Sequence, residues 1–103
     1  MSILMNFAMF PTDKGPSVSE HVSKVIEMIS KSGVSYKLTP MSTIIETETL
    51  DEALEIVKKA YSILEPVSDR IYSSMNFDIR KNKSGRMKQK IESIESKIGK
   101  VST

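Results

Sequence analysis

The sequence predicts an α+β sandwich, in which helices pack on a sheet, from two kinds of apolar periodicity and from chain length. Two long segments repeat apolar residues at every second position, and two shorter ones are extended or rich in β-branched residues, as in strands. Three other segments carry apolar residues at intervals of three and four, as in amphipathic helices. The 103 residues fit one domain covering 1–103, so all these elements are expected to share a core.

The first half of the chain predicts a strand, a helix and a hairpin. The first strand has a period-two pattern that ends where Pro11 removes a backbone donor: Ile3, Met5, Phe7 and Met9 alternate with Leu4, Asn6, Ala8 and Phe10. Ser17 and Glu20 have the spacing of a capping box, and helical apolar spacing continues to Gly33, which favours a helix end. The residues 34–39 and 41–47 predict two strands, because the turn around Pro40 separates them.

The second half predicts helix, strand and helix. Thr49 and Glu52 repeat the capping-box spacing, and an apolar stripe runs to Pro66 through Ala53, Leu54, Val57, Ala60, Tyr61 and Leu64. A fourth strand is expected over 71–80, where apolar and polar residues alternate. A third helix is expected after residue 85, because four apolar residues recur there at helical spacing and share one side: Met87, Ile91, Ile94 and Ile98.

This order, β-α-β-β-α-β with an additional C-terminal helix, predicts a ferredoxin-like sandwich, because two right-handed crossovers put the first two helices on one sheet face. The opposite face would carry a mixture of small, aromatic and polar groups: Asn6, Ala8, Ile44, Glu46, Tyr72, Ser74 and Asn76. Such a face is neither fully polar nor fully apolar. We therefore expect other copies of the chain to cover it in a homo-oligomer.

Composition excludes several classes of function. No Cys is present and His21 is the single histidine, so thiolate catalysis and Cys/His metal cages are excluded. The net charge of +2 is small, and the strands lack the paired aromatics of RNA-binding sheets, so a nucleic acid is not the expected partner. No Ser/His/Asp order or Gly-rich phosphate loop is found, and neither a signal peptide nor a membrane span. We expect a cytoplasmic, non-catalytic protein without a cofactor.

The chain resembles the small thiamine-binding proteins with ferredoxin-like domains. The resemblance covers about Asn6 to Ile98 and depends on a whole-chain pattern rather than on one motif. It is carried by these segments: Phe10-Pro11, Pro16 to Glu20, Tyr36 to Thr43, Ile45-Glu46, Phe77 to Arg80 and Lys90 to Ser93. The resemblance implies a non-catalytic binder of thiamine or of its hydroxymethylpyrimidine part, assembled as a dimer or tetramer.

Thiamine combines a flat aminopyrimidine, a cationic thiazolium and a hydroxyethyl tail, so a binder needs short polar side chains, an apolar wall and a carboxylate. Hydroxyls such as that of Thr43 suit the pyrimidine edge, and Glu46 could meet a ligand cation or amino group. The candidate ligand-binding residues are Asn6, Phe7, Thr39, Met41, Thr43, Glu46, Asn76 and Arg80.

Each candidate also has a purely structural explanation. Thr39 and Ser42 suit a turn fixed by Pro40, and Phe7 and Met41 suit apolar strand positions. Glu46 could instead form an inter-subunit contact. The cations from Arg80 to Lys90 suggest either a visiting anion or a solvated loop. The alternative function is therefore a regulatory or assembly module whose sheet face serves oligomerisation only.

Overall fold

A four-stranded antiparallel sheet with strand order β2-β3-β1-β4 forms the centre of the molecule, as described by a computed structural model of residues 1–103. The elements are β1 (Ser2–Pro11), α1 (Val18–Lys31), β2 (Ser35–Leu38), β3 (Thr43–Thr47), α2 (Leu50–Leu64), β4 (Ile71–Arg80) and α3 (Arg86–Ile98). Short 3-10 turns precede α1 and follow α2. The predicted ferredoxin-like sandwich with an additional C-terminal helix is confirmed.

The core lies between the sheet and the pair α1 and α2, and β1 is its centre. The side chains of β1 that point to this helix face are Ile3, Met5, Phe7 and Met9, and all are at most 7% exposed. Because side chains of a strand alternate between faces, Leu4, Asn6 and Ala8 point the other way, to what we call the outer face. The predicted division of the strand residues between the two faces is confirmed.

The first two helices form for the expected reasons, with two corrections. Thr49 caps α2 by accepting a hydrogen bond from the Glu52 N–H at 3.1 Å. Ser17 makes no such bond, because the chain enters α1 through a 3-10 turn, so the capping box predicted at Ser17 is wrong. In α2 the buried stripe includes Ile56, whereas Leu54 and Tyr61 are substantially exposed.

The third helix lies against the outer face and uses only part of its apolar stripe. Its first residues contact Glu46 of β3 and Ser2 of β1, both outer-face residues. Ile94 and Ile98 are 51% and 73% exposed, although they share one side of the helix with Met87 and Ile91. The molecule is consequently elongated, with a longest dimension of 45 Å.

None of the helices has the length and apolar character needed to cross a membrane.

We expect the Ile29→Ala variant to lose about 2–5 kcal/mol of unfolding free energy, because Ile29 is fully buried in the core and the shorter side chain leaves a cavity. Urea denaturation followed by circular dichroism measures this loss. The matched control is Leu54→Ala, in which the replaced side chain is 39% exposed. Equal destabilisation by both variants would contradict the assignment of Ile29 to the core.

Candidate functional site

A cavity of about 330 Å³ opens between the start of α1, the end of β1 and the turn that joins β2 to β3. Its size is at the lower end of the range for small-molecule sites, about 300–1,000 Å³. The lining residues are Phe7 to Phe10, Val18, Val22, Val25, Ile26 and Leu38 to Thr43. Most of these side chains are apolar, and none is charged. The cavity therefore suits a small, uncharged group.

The polar groups of the cavity come from the turn between β2 and β3. Thr39 is committed to the turn, since its hydroxyl donates to the Ser42 carbonyl at 2.8 Å and accepts from the Ser42 N–H at 3.1 Å. The Ser42 hydroxyl donates to Oδ1 of Asn6. Thr43 is different, because its residue is only 4% exposed and its hydroxyl has no hydrogen-bond partner within the protein. This hydroxyl is free to bind a ligand polar atom.

The structure brings four of the eight candidate residues into this cavity: Phe7, Thr39, Met41 and Thr43. Phe7 forms part of the wall and is buried, while Met41 stands at the rim and is 88% exposed. Asn6 is one step removed, on the outer face, where it supports Ser42. Candidate residues of the β2–β3 turn and of β1 therefore line the same cavity.

The other three candidates lie away from the cavity. Asn76 is opposite Asn6 in the β1–β4 ladder, on the outer face. Arg80 is at the far end of β4, opposite Ser2. Glu46 also points to the outer face, because Ile45 beside it is fully buried in the core. The sheet therefore separates the Glu46 carboxylate from the cavity.

The Glu46 carboxylate holds the N-terminus of α3. It accepts hydrogen bonds from the Ser2 hydroxyl, from the Arg86 N–H at 3.0 Å and from the Met87 N–H at 3.1 Å. Burial opposes ionisation of this carboxyl group, but these three hydrogen bonds and the Arg86 charge outweigh it and lower the pKa of Glu46. A helix N-terminus prefers a negative group, and Glu46 supplies one.

Arg86 completes this polar cluster and was not among the predicted site residues. Although charged, it is only 2% exposed. Its Nε donates to Ser2 Oγ at 2.9 Å and its Nη2 donates to the carbonyl oxygens of Ser2 and Asp78. Its Nη1 lies 2.9 Å from Asp78 Oδ2 and forms a salt bridge with it, but the geometry of this contact is not that of a hydrogen bond. The sequence shows Arg86 only as one of several cations after β4, so nothing there distinguished it.

The cluster also pairs two of the cations at the start of α3. Lys90 donates to Asp78 Oδ2 at 3.0 Å, and this bond, with the charge of Arg86, lowers the pKa of Asp78 against a smaller opposing effect of desolvation. Two of the cations are thus paired with a carboxylate of β4. The carboxylate of Glu46 supplies an anion at the helix start, whereas Arg80, Lys81, Lys83 and Lys88 are exposed and form no ion pair within the chain.

Comparison with known proteins gives a consistent family. The family model described as "Thiamine-binding protein" matches residues 5–95. A UPF0045 protein of Methanothermobacter thermautotrophicus is 36% identical over 83 residues, which are 80% of this chain and 84% of the relative. A UPF0045 protein of Methanocaldococcus jannaschii is 34% identical, over 89% of this chain and 91% of the relative.

Solved structures share the same fold. A crystal structure of the Methanocaldococcus jannaschii protein superposes with a TM-score of 0.80 at 33% identity, covering 90% of this chain and 95% of that one. A Thermotoga maritima protein with a provisional assignment to thiamine biosynthesis or salvage has a TM-score of 0.79 at 20% identity, covering 91% and 99%. At that identity the second likeness concerns the fold alone.

The polar cluster predicts that Glu46→Gln lowers the unfolding free energy at neutral pH by about 1.5–3 kcal/mol, the usual range for a hydrogen bond to a charged group. The reason is that an amide replaces an ionised acceptor of two α3 N–H groups. Urea denaturation measures the change. Glu48→Gln is the control, since Glu48 is exposed and makes no side-chain hydrogen bond. Equal stability of both variants would contradict the role of Glu46 in holding α3.

The same contact predicts a pH dependence. Because the folded-state pKa of Glu46 lies below its ordinary value of 4.5, the stabilisation by this group is complete above that value. It is lost as the pH falls through the folded-state pKa. Unfolding of the wild type and of Glu46→Gln, measured from pH 7 to pH 2.5, should therefore show a stability gap that closes in the acidic range. A gap of constant size over this range would contradict the prediction.

Proposed function

The chain belongs to the thiamine-binding protein family, and from this membership we propose that it binds thiamine or the hydroxymethylpyrimidine part of thiamine, without catalysis, as a cytoplasmic homo-oligomer. The observation that carries the proposal is the uncharged cavity between α1 and the β2–β3 turn, in which the Thr43 hydroxyl has no protein partner. Family membership supports the class of ligand, and the cavity supports its position.

The chemistry of the cavity favours the pyrimidine half of the ligand. An aminopyrimidine is flat and uncharged, and its edge both donates and accepts hydrogen bonds, which a hydroxyl can match. A thiazolium cation buried in the cavity would lack a carboxylate partner, and an unpaired buried charge is costly. We therefore place the pyrimidine inside the cavity and the thiazolium at its mouth, in contact with water.

The roles of the lining residues follow from their positions. Thr43 binds the pyrimidine edge, and Phe7 provides part of the apolar wall. Thr39 holds the turn in the shape that presents Thr43. Met41 is exposed at the rim, and its flexible side chain can fold over a bound ring. Asn6 supports this arrangement through Ser42.

The three candidates outside the cavity receive other roles in this proposal. Glu46 already accepts three hydrogen bonds and lies on the opposite sheet face, so it positions α3 rather than the ligand. Asn76 and Arg80 lie along β4, the strand at one edge of the sheet. The carboxylate that sequence reasoning placed beside the ligand cation thus acts within the fold.

Calorimetric titration with thiamine and with hydroxymethylpyrimidine tests the proposal. We expect both compounds to bind, with dissociation constants within about tenfold of each other, because the cavity offers the thiazolium no charged partner. Each compound should also raise the midpoint of thermal unfolding, as any ligand of the native state does. Absence of both heat and thermal shift at millimolar concentrations would overturn the proposal.

A hydroxyl deletion locates the ligand within the cavity. Thr43→Val keeps the shape of the side chain and removes its hydroxyl, so we expect binding to weaken by about 0.5–1.5 kcal/mol, or roughly two- to tenfold in Kd. Ser35→Ala removes an exposed hydroxyl of β2 that makes no hydrogen bond, and should leave Kd unchanged. Unchanged Kd in Thr43→Val, with the fold intact by circular dichroism, would place the ligand elsewhere.

A regulatory or assembly module is the second candidate function. The exposed Ile94 and Ile98 of α3 favour it, because they form an apolar surface without a partner in one chain. This function predicts an oligomer that no thiamine-related compound stabilises. Titration and measurement of molar mass on the same preparation therefore distinguish the two functions.

A further inference from the structure

β1 extends beyond the strand beside it, and this leaves part of its backbone edge facing the cavity. The last pair of the β1–β3 ladder is Phe7 with Thr43, where β3 begins, whereas β1 continues to Pro11. Beyond Phe7, β1 pairs with β4 alone. Ala8 and Phe10 line the cavity although their side chains point to the outer face, which indicates that the backbone of β1 forms this wall.

Met9 is the residue whose backbone groups face the side that β3 leaves free. The Thr12 N–H donates to the Arg70 carbonyl at 2.8 Å, so Thr12 directs its backbone groups to the β4 side. Because these groups alternate in direction along a strand, even-numbered residues of β1 share this direction and odd-numbered residues face the opposite side. Phe7 uses that side to pair with Thr43, and Met9 is the next residue to face it.

The N–H and C=O of Met9 have no partner within the chain. By the register of the β1–β3 ladder, Met41 would stand opposite, but it belongs to the turn, is 88% exposed and donates its N–H to the Thr39 hydroxyl at 3.3 Å. The ladder ends before Met9, and no other backbone hydrogen bond involves it. Met9 is only 7% exposed, and buried backbone groups are normally paired. A molecule in the cavity that supplies both partners would therefore gain two hydrogen bonds.

We propose that the Met9 N–H and C=O recognise a ring that carries a hydrogen-bond acceptor beside a donor, as an aminopyrimidine does with one ring nitrogen and its neighbouring amino group. A strand residue in a hydrogen-bonded pair presents its N–H and C=O side by side to its partner. The ring takes the place of the missing β3 residue: its nitrogen accepts from the Met9 N–H and its amino group donates to the Met9 C=O. This role rests on the proposed function, and it identifies the edge of the pyrimidine that the protein recognises.

The Thr43 hydroxyl lies on the other side of the same ring. Thr43 stands opposite Phe7, and Met9 is two residues further along β1, or about 7 Å along the strand. One six-membered ring with a hydrogen bond of about 2.9 Å on each side covers such a distance. The pyrimidine of thiamine has a second ring nitrogen across the ring from its amino group, and this nitrogen accepts from the Thr43 hydroxyl. Two groups on opposite sides thus fix the orientation of the ring.

The free backbone of β1 suits a small molecule better than an added peptide strand. Addition of a strand needs unpaired N–H and C=O groups at several alternate residues. β1 offers both groups only at Met9, because Phe7 is already paired with Thr43 and Pro11 has no N–H. The site therefore fits one acceptor–donor edge rather than an extended chain.

An analogue of hydroxymethylpyrimidine in which hydrogen replaces the amino group tests this edge. It keeps the ring but leaves the Met9 carbonyl buried without a donor, which carries a larger penalty than the loss of an exposed hydrogen bond. By calorimetry we expect its Kd to be about 10- to 100-fold higher than that of hydroxymethylpyrimidine. Equal Kd values for the two compounds would overturn the role of Met9 and leave the pyrimidine in the cavity.

An ester in the backbone tests the Met9 N–H itself. In a chain made with the α-hydroxy analogue of methionine at position 9, this N–H is removed and the side chain is kept, so the Kd for hydroxymethylpyrimidine should rise about two- to tenfold. The control is the same change at Tyr36. Its N–H also faces an open sheet edge, because the Thr39 N–H donates to the Ser42 carbonyl on the β3 side, and Tyr36 lies outside the cavity. An unchanged Kd for the folded Met9 ester would overturn the inference.

Nuclear magnetic resonance of the unmodified protein gives a readout that does not depend on how the ester variant folds. On titration with hydroxymethylpyrimidine, the Met9 amide proton should move downfield and its exchange with solvent should slow, because it enters a new hydrogen bond. The Tyr36 amide proton is again the control and should keep its position and its exchange rate. A Met9 amide signal that stays unchanged at saturating ligand would overturn the inference.

Failure of this inference and failure of the proposed function give different results. Binding of hydroxymethylpyrimidine that weakens in Thr43→Val, but not with the deaminated analogue or in the Met9 ester, would overturn the role of Met9 alone. Absence of heat with both thiamine and hydroxymethylpyrimidine would overturn both proposals.

Discussion

The structure depends on the fact that two helices can cover only one face of a four-stranded sheet. The residues of β1 on the helix face are at most 7% exposed. They pack with Val25 and Ile29 of α1 and with Ala60 and Leu64 of α2. This side of the sheet provides the hydrophobic stabilisation. The outer face is left with mixed side chains, and α3 packs against it through Glu46 and Ser2.

The attachment of α3 shows how a polar contact can replace an apolar one on that outer face. Met87 and Ile91 are half-buried, but Ile94 and Ile98 are not, so the helix gains little from apolar packing. Its position is set instead by Glu46, which accepts its first N–H groups, and by Arg86. A buried arginine is tolerated because carbonyl, hydroxyl and carboxylate oxygens surround it. Displacing α3 from this position would leave the buried groups of Glu46 and Arg86 without hydrogen-bond partners. The polar cluster therefore favours one position of the helix on the sheet.

The candidate site was predictable where it depends on local sequence. The turn around Pro40 and the apolar alternation of β1 were both evident, and they place Thr39, Thr43 and Phe7 at one cavity. Alternation along β3 indicates that Glu46 is a carboxylate in need of a partner, and the structure shows that this partner is the N-terminus of α3, 40 residues further along the chain. Periodicity shows which face a residue occupies, and it does not show which distant group occupies the same face.

The order of elements, the face of each strand that turns to the core and the ferredoxin-like class can be inferred from the residues alone, because they follow from short-range apolar spacing and the handedness of crossovers. The folded chain adds that Ser17 does not cap α1 and that Arg86 is buried against Ser2 and Asp78. Each of these depends on contacts between residues far apart in the chain. Such contacts are selected by packing and charge in three dimensions, so no local pattern records them.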